Sequence, residues 1–165
     1  MALNPWFNRM KVIDHVEKIL SNELETQKFG AMIGAAHVPG TFITLEGQIG
    51  AGKTTFARGF LRSLNYEGHV KSPTFTLIEY YEFESYNLFH IDLFRVNDVN
   101  ELDYLGLDAY SKNKTTYLIE WPKFDLEFIS KVDLNINFKV SDNRRIASIV
   151  AYTQEGRKLV QGLKS

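Results

Sequence analysis

Residues Gly47-Gln48-Ile49-Gly50-Ala51-Gly52-Lys53-Thr54 match G-x-x-x-x-G-K-[ST] at every fixed position. Residues of these types at this spacing make a cradle for nucleotide phosphates. The glycines let consecutive backbone N–H groups turn inward, Lys53 brings a point charge to the outer phosphates, and Thr54 offers a hydroxyl to Mg²⁺. Thr55 follows on the same turn and joins the expected nucleotide-binding set. Such a site also needs a carboxylate, because Mg²⁺ keeps several waters and takes one or two protein oxygens beside the substrate phosphates. Asp92 ends the run Leu88-Phe89-His90-Ile91, and Glu120 ends Tyr117-Leu118-Ile119. Ligands of open α/β sheets bind beyond the carboxyl ends of strands, where both acids are expected. Asp92 is assigned to the Mg²⁺ sphere, through water, and Glu120 to the attacking water; the exchanged assignment, with Glu120 on the metal, stays open. Ser72-Pro73-Thr74 follows the loop by about twenty residues, where P-loop proteins often place a γ-phosphate sensor, and Thr74 is the candidate. Trp121 could stack on a base or face a partner, although a core tryptophan is the commoner outcome. His90 reads as a residue alternating with Ile91 across a strand and is a poor metal ligand without other histidines or cysteines nearby.

The elements that must position these groups can be read from periodicity. Thr41-Phe42-Ile43-Thr44-Leu45 is a buried strand entering the loop, and Thr55 to Leu64 has helical spacing after it. Asn22-Glu23-Leu24-Glu25 reads as a capping box opening a helix over 22–36, with Leu24, Phe29, Met32 and Ile33 as its apolar face. Residues 12–20 fit a helical face or, over His15 to Leu20, an edge strand. Thr76 to Phe83 and Tyr86 to Leu93 form an aromatic-rich hairpin, and Val99 to Tyr110 a short helical segment or two. Thr116 to Glu120 is a strand, and 132–140 and 146–153 pair as strands turned by Asp142-Asn143. Glu101, Leu102 and Gly106 look structural. The architecture expected is α/β: a mixed, partly parallel β-sheet flanked by helices around a phosphate loop.

Composition narrows the class. The chain has 165 residues, 44% of them hydrophobic, which suits one domain over 1–165 with a substantial core. With 19 basic and 20 acidic residues the net charge is −1, so no global field draws the chain to nucleic acid or to an anionic membrane. A role on nucleic acid would need a partner. There is no cysteine, which excludes disulfides, thiolate chemistry and cysteine-ligated zinc. No apolar leader opens the sequence and no run reaches membrane-spanning length, so a cytoplasmic protein without membrane association is expected.

Taken together, the motifs resemble the TsaE (YjeE) family of bacterial tRNA threonylcarbamoyladenosine biosynthesis ATPases. The likeness consists of Gly47 to Thr54, then Val70-Lys71-Ser72-Pro73-Thr74-Phe75-Thr76-Leu77, His90-Ile91-Asp92-Leu93-Phe94-Arg95, Glu101-Leu102 with Leu105-Gly106, and Leu118-Ile119-Glu120-Trp121-Pro122. A phosphate loop alone marks a superfamily; the later elements in this order mark the family. The resemblance implies a P-loop NTPase fold and ATP hydrolysis with Mg²⁺, weak unless partners are present. The partners would be TsaB and TsaD, and tRNA would be met through them. On this resemblance Thr54, Asp92, Thr74 and Glu120 take the metal, switch and catalytic positions, with Lys53 on the phosphates and a monomer expected for the chain alone. The family fold also implies a strand at His15 to Leu20.

Two departures stand out. Gln48-Ile49 replaces the family's usual Asp-Leu, removing a negative charge beside the phosphates, and Lys123 follows Trp121-Pro122 where Glu or Gln is common. A small-molecule or nucleotide kinase would share the loop but should add an arginine-rich lid, and the seven arginines form no such cluster. A GTPase would carry Asn-Lys-x-Asp, and Asn113-Lys114-Thr115-Thr116 lacks its acid. A nucleotide-dependent binding module that hydrolyses little and acts by holding partners blends into the ATPase reading.

Overall fold

Apolar side chains on both faces of the central strands require helices or loops on both sides of the sheet, and this is how the chain folds. The computed structural model describes residues 5, 7–110, 112–123 and 132–165. Strand β1 (Asp14–Leu20) leads to helix α1 (Glu23–Ala36), then β2 (Phe42–Gly47) and α2 (Lys53–Ser63). A hairpin of β3 (Ile78–Glu82) and β4 (Asn87–Asp92) follows, then the single turn α3 (Asn100–Asp103) and β5 (Thr115–Glu120). The chain ends with β6 (Leu134–Ser141), β7 (Arg144–Ala151) and α4 (Gln154–Lys164). The seven strands form one sheet in the order β1-β7-β6-β2-β5-β4-β3. Its centre is parallel, with β2 between β6 and β5 and β4 beside β5. The pairs β3–β4, β6–β7 and β1–β7 are antiparallel. The expected mixed, partly parallel sheet is therefore present. Among the described residues no helix is long and apolar enough to cross a membrane.

One sheet face carries Ile43, Leu45, Leu118, Ile136 and Phe138, packed with Phe29 and Ile33 of α1, Phe56 and Phe60 of α2, and Leu159 of α4. The other carries Phe42, Phe89, Ile91, Tyr117 and Ile119 against Phe7, Leu93 and Leu102. Helices α1 and α2 cross closely because glycines meet backbone there. A Cβ on Gly30 would lie 2.1 Å from the Phe56 carbonyl oxygen, and one on Gly59 would lie 2.0 Å from that of Gln27.

Several elements differ in detail from the sequence reading. Residues 14–20 are a strand whose exposure alternates along its length. Asn22 caps α1 by accepting from the Glu25 N–H at 2.9 Å, while the Glu25 carboxylate reaches back to the Ser21 N–H at 2.6 Å, one residue beyond the usual box. Phe29 and Ile33 are buried as expected, whereas Leu24 and Met32 are exposed, since the buried face of α1 is set by α2. Asp142 and Asn143 turn β6 into β7 with φ of 47° and 64°, the signature of a two-residue hairpin. The strands consequently run 134–141 and 144–151, tighter than expected. Helix α4 was not foreseen; Thr153 caps it by accepting from the Gly156 N–H at 3.2 Å.

Candidate functional site

The loop between β2 and α2 takes its shape from its glycines. Gly47, Gly50 and Gly52 have φ of 137°, 78° and 114°, values that side chains disfavour. At Gly47 a Cβ would also lie 2.5 Å from the Phe138 carbonyl oxygen, so the loop is pressed against β6. Helix α2 begins at Lys53, two residues before its expected start, and its N-cap, Gly52, offers no side-chain acceptor. The N–H groups of its first turn are left for an anion, and the helix dipole favours one there.

Lys53 is 5% exposed. Its Nζ donates to the Gly47 carbonyl at 2.6 Å and the Gln48 carbonyl at 3.0 Å, and lies 4.4 Å over the Trp121 ring. Burial lowers its pKa, against the attraction of Glu120 and Asp92, which raises it. A buried ammonium resting on the carbonyls of its own loop is poised to exchange them for phosphate oxygens.

The two acids come from neighbouring parallel strands. Asp92 and Glu120 are in register, so their side chains leave the sheet side by side on the α2 face, and both are 2% exposed. Asp92 accepts from the Thr74 hydroxyl through Oδ2 at 2.7 Å and from the Phe94 N–H through Oδ1 at 2.8 Å. Thr74 and Ser72 share a further hydroxyl contact of 2.8 Å. Glu120 Oε1 lies 2.7 Å from His90 Nε2 and accepts from the Thr54 hydroxyl at 3.4 Å. Two adjacent buried carboxylates repel unless cations or donors separate them, and Lys53, Thr54, Thr74 and His90 stand around them.

Of the residues singled out from the sequence, Ile49, Gly50, Gly52, Lys53, Thr54, Thr55, Thr74, Asp92, Glu120 and Trp121 line one cleft of about 180 Å³, joined by Ser72. Gly47, Gln48 and Ala51 do not line it. Ala51 is fully buried, and Gln48 is exposed, contributing its backbone carbonyl to Lys53. Trp121 is half-buried, with φ of 56°; its N–H donates to the Leu45 carbonyl at 3.1 Å and its ring meets Phe94 at 5.0 Å. Lys123 lies outside the cleft, its ammonium bonded to the Phe94 carbonyl. Among the described residues no three His, Cys, Asp or Glu side chains cluster as a metal cage. The available donors, Thr54, Asp92 and Glu120, are hard oxygens few in number, which suits an ion that brings water and phosphate oxygens to its own sphere.

Two neighbours escaped the sequence reading. Arg145, on β7, packs beside the loop, its Cδ and Nε 3.1 Å from where a Gly52 Cβ would be. From sequence, His90 reads as a strand residue alternating with Ile91 and a poor metal ligand, with no role beside Glu120. The period-two spacing that put Asp92 in the site also put His90 on the same face, and that was the signal available.

The family model for the threonylcarbamoyl adenosine biosynthesis protein TsaE matches residues 20–147 of this chain. The chain belongs to the TsaE family. Among curated TsaE proteins it is 37% identical to that of Bacillus subtilis over 131 residues, covering 79% of this chain and 82% of the relative. It is 31% identical to that of Haemophilus influenzae over 140 residues, covering 84% and 89%. Among solved structures it is similar to the crystal structure of Bacillus subtilis YdiB, with a TM-score of 0.73 at 28% identity over 93% of this chain and 97% of that one. As a TsaE protein the chain is a P-loop ATP hydrolase acting in threonylcarbamoyladenosine modification of tRNA, the pathway of TsaB and TsaD. ATP is the nucleotide of this family.

Proposed function

We propose that the cleft between α2, β4 and β5 binds Mg²⁺ and ATP and hydrolyses the nucleotide. Lys53 leaves the Gly47 and Gln48 carbonyls for the outer phosphates, while backbone N–H groups from Gly50 to Thr55 hold the phosphate chain. Thr54 and Asp92 would hold the metal, Asp92 by way of water, and the ion would supply neutralisation of the charge that develops on the phosphoryl oxygens. Thr74, bonded to Asp92, carries the presence of the γ-phosphate into the segment from Ser72 to Thr76. Glu120 orients the attacking water, and Trp121 covers the inner side of Lys53. The observation that carries this reading is the registered pair Asp92 and Glu120 beside a buried lysine and an uncapped helix N-terminus.

On this reading the whole chain, 1–165, works as one cytoplasmic ATPase unit, monomeric alone, that binds TsaB and TsaD directly. The chain's net charge of −1 suits contact with tRNA through those partners. The cleft's lining contains no arginine among the described residues, whereas a kinase would be expected to close an arginine-bearing lid over the transferred phosphoryl group.

The test is ATP turnover by the chain with and without purified TsaB and TsaD, beside Glu120→Gln. Stimulation by the pair and co-elution are expected. The variant should bind ATP within about threefold of normal and lose at least about 100-fold in turnover. Turnover indifferent to the pair with no co-elution would refute direct action on it; full turnover by the variant would refute the role of Glu120.

A further inference from the structure

We propose that His90 is a positioning residue for Glu120: its Nε2–H holds carboxylate oxygen Oε1 so that Oε2 is presented to the attacking water. The proposal rests on the reading of Glu120 given above.

His90 is wholly buried, in register with Leu118 across the β4–β5 pair and two residues from Asp92 on the same face. Its Nε2 is 2.7 Å from Glu120 Oε1. Its other ring nitrogen, Nδ1, is closed off from solvent and has no hydrogen-bond partner. These facts put a hydrogen on Nε2. A hydrogen on Nδ1 alone would leave an unpaired N–H in the core and set two acceptor atoms 2.7 Å apart at Nε2 and Oε1. A hydrogen on Nε2 instead makes the bond to Glu120.

The bond has a geometric consequence. A glutamate has three rotatable side-chain bonds, so without a fixed partner its carboxylate has several orientations open to it. Fixing Oε1 against a rigid strand residue fixes where Oε2 points. Among the described residues Oε2 accepts no hydrogen bond, whereas Oε1 takes both His90 and the longer contact from Thr54. An imidazole with one dry nitrogen is a poor core residue next to Leu88 and Leu118, where an apolar side chain would pack without desolvating a polar atom. What the histidine returns is the hold on Glu120. A side chain that orients a catalytic group without touching substrate should affect turnover more than affinity.

The experiment compares His90→Leu, His90→Gln, Glu120→Gln and His90→Leu with Glu120→Gln, each with the TsaB–TsaD pair, reading kcat and the KM for ATP. His90→Leu should lower kcat ~10- to 100-fold with KM within about threefold. His90→Gln, whose amide can reach Oε1 as a donor, should recover most of that loss. The double variant should be no slower than Glu120→Gln alone. Undiminished kcat in His90→Leu, or a multiplicative loss in the double variant, would overturn the proposal. Full turnover by Glu120→Gln would instead remove the Glu120 assignment, and the present proposal with it. Should the leucine variant not fold, ¹⁵N spectra of the wild-type His90 ring decide. A hydrogen on Nε2 is required, and a spectrum showing hydrogen on Nδ1 alone would overturn the inference.

Discussion

Glu46, which directly precedes the phosphate loop, should make the fold less stable as pH rises, and Glu46→Gln should remove that dependence. Its Oε1 is buried without a hydrogen-bond partner, and its Oε2 accepts only a long contact of 3.4 Å from Asn137. Burial pushes its pKa from 4.5 to about 7. The folded protein therefore holds a proton that the unfolded chain releases near pH 4.5, so between that pH and about 7 folding is linked to proton uptake. The stabilisation is complete below pH 4.5 and is lost as pH rises through about 7. At 1.36 kcal/mol per pH unit the gap between the two values caps the effect at about 3 kcal/mol, and solvent screening of the partly accessible side chain reduces it to about 1–2 kcal/mol. For a chain of this size that corresponds to about 3–6 °C in Tm. The assay is thermal unfolding of both proteins at pH 5 and pH 8. The variant should gain about 3–6 °C relative to wild type on going from the lower pH to the higher. A Tm difference between the two proteins that is the same at both pH values would refute the reasoning.

Two further outcomes are expected. Gly59→Ala would drive a methyl to 2.0 Å from the Gln27 carbonyl oxygen and wedge α1 from α2, costing at least about 2–3 kcal/mol; a melt within 2 °C of wild type would show that the helices yield without cost. Thr74→Val keeps shape but removes the hydroxyl bonded at 2.7 Å to Asp92, and should weaken Mg²⁺-dependent ATP binding about tenfold while leaving metal-free binding unchanged; calorimetry showing equal losses with and without Mg²⁺ would separate Thr74 from the metal site.

How far the sequence carried the structure depends on the kind of constraint. The phosphate loop was legible because Gly47, Gly50 and Gly52 are dictated by local backbone angles, and local constraints leave fixed residues at fixed spacing. Strand β1 was ambiguous because seven alternating residues satisfy a short helical face nearly as well, and only its pairing with β7 decides. Leu24 and Met32 were misplaced for a related reason: which side of α1 is buried is chosen by Gly59 and Phe56 of α2, distant in sequence. Helix α4 was overlooked although Thr153, Leu159, Val160 and Leu163 carry its cap and apolar stripe, because Gly156 and Gly162 weaken the local signal.

The His90–Glu120 bond belongs to a third kind, since it joins residues thirty apart through a cross-strand register. That register is set by the core rather than by the site. In β4 and β5, Phe89, Ile91, Tyr117 and Ile119 face one layer while Leu88 and Leu118 face the other. A slip of one residue would place Asp92 beside Ile119 or Trp121 and put apolar and acidic side chains on the wrong faces together. The energy that forbids the slip is that of burying whole aromatic and aliphatic side chains, several kcal/mol for the set. The placement of two carboxylates and one imidazole around a phosphate cradle is thus inherited from apolar packing, and the mutual repulsion of those carboxylates can be tolerated because the sheet would lose more by moving them apart.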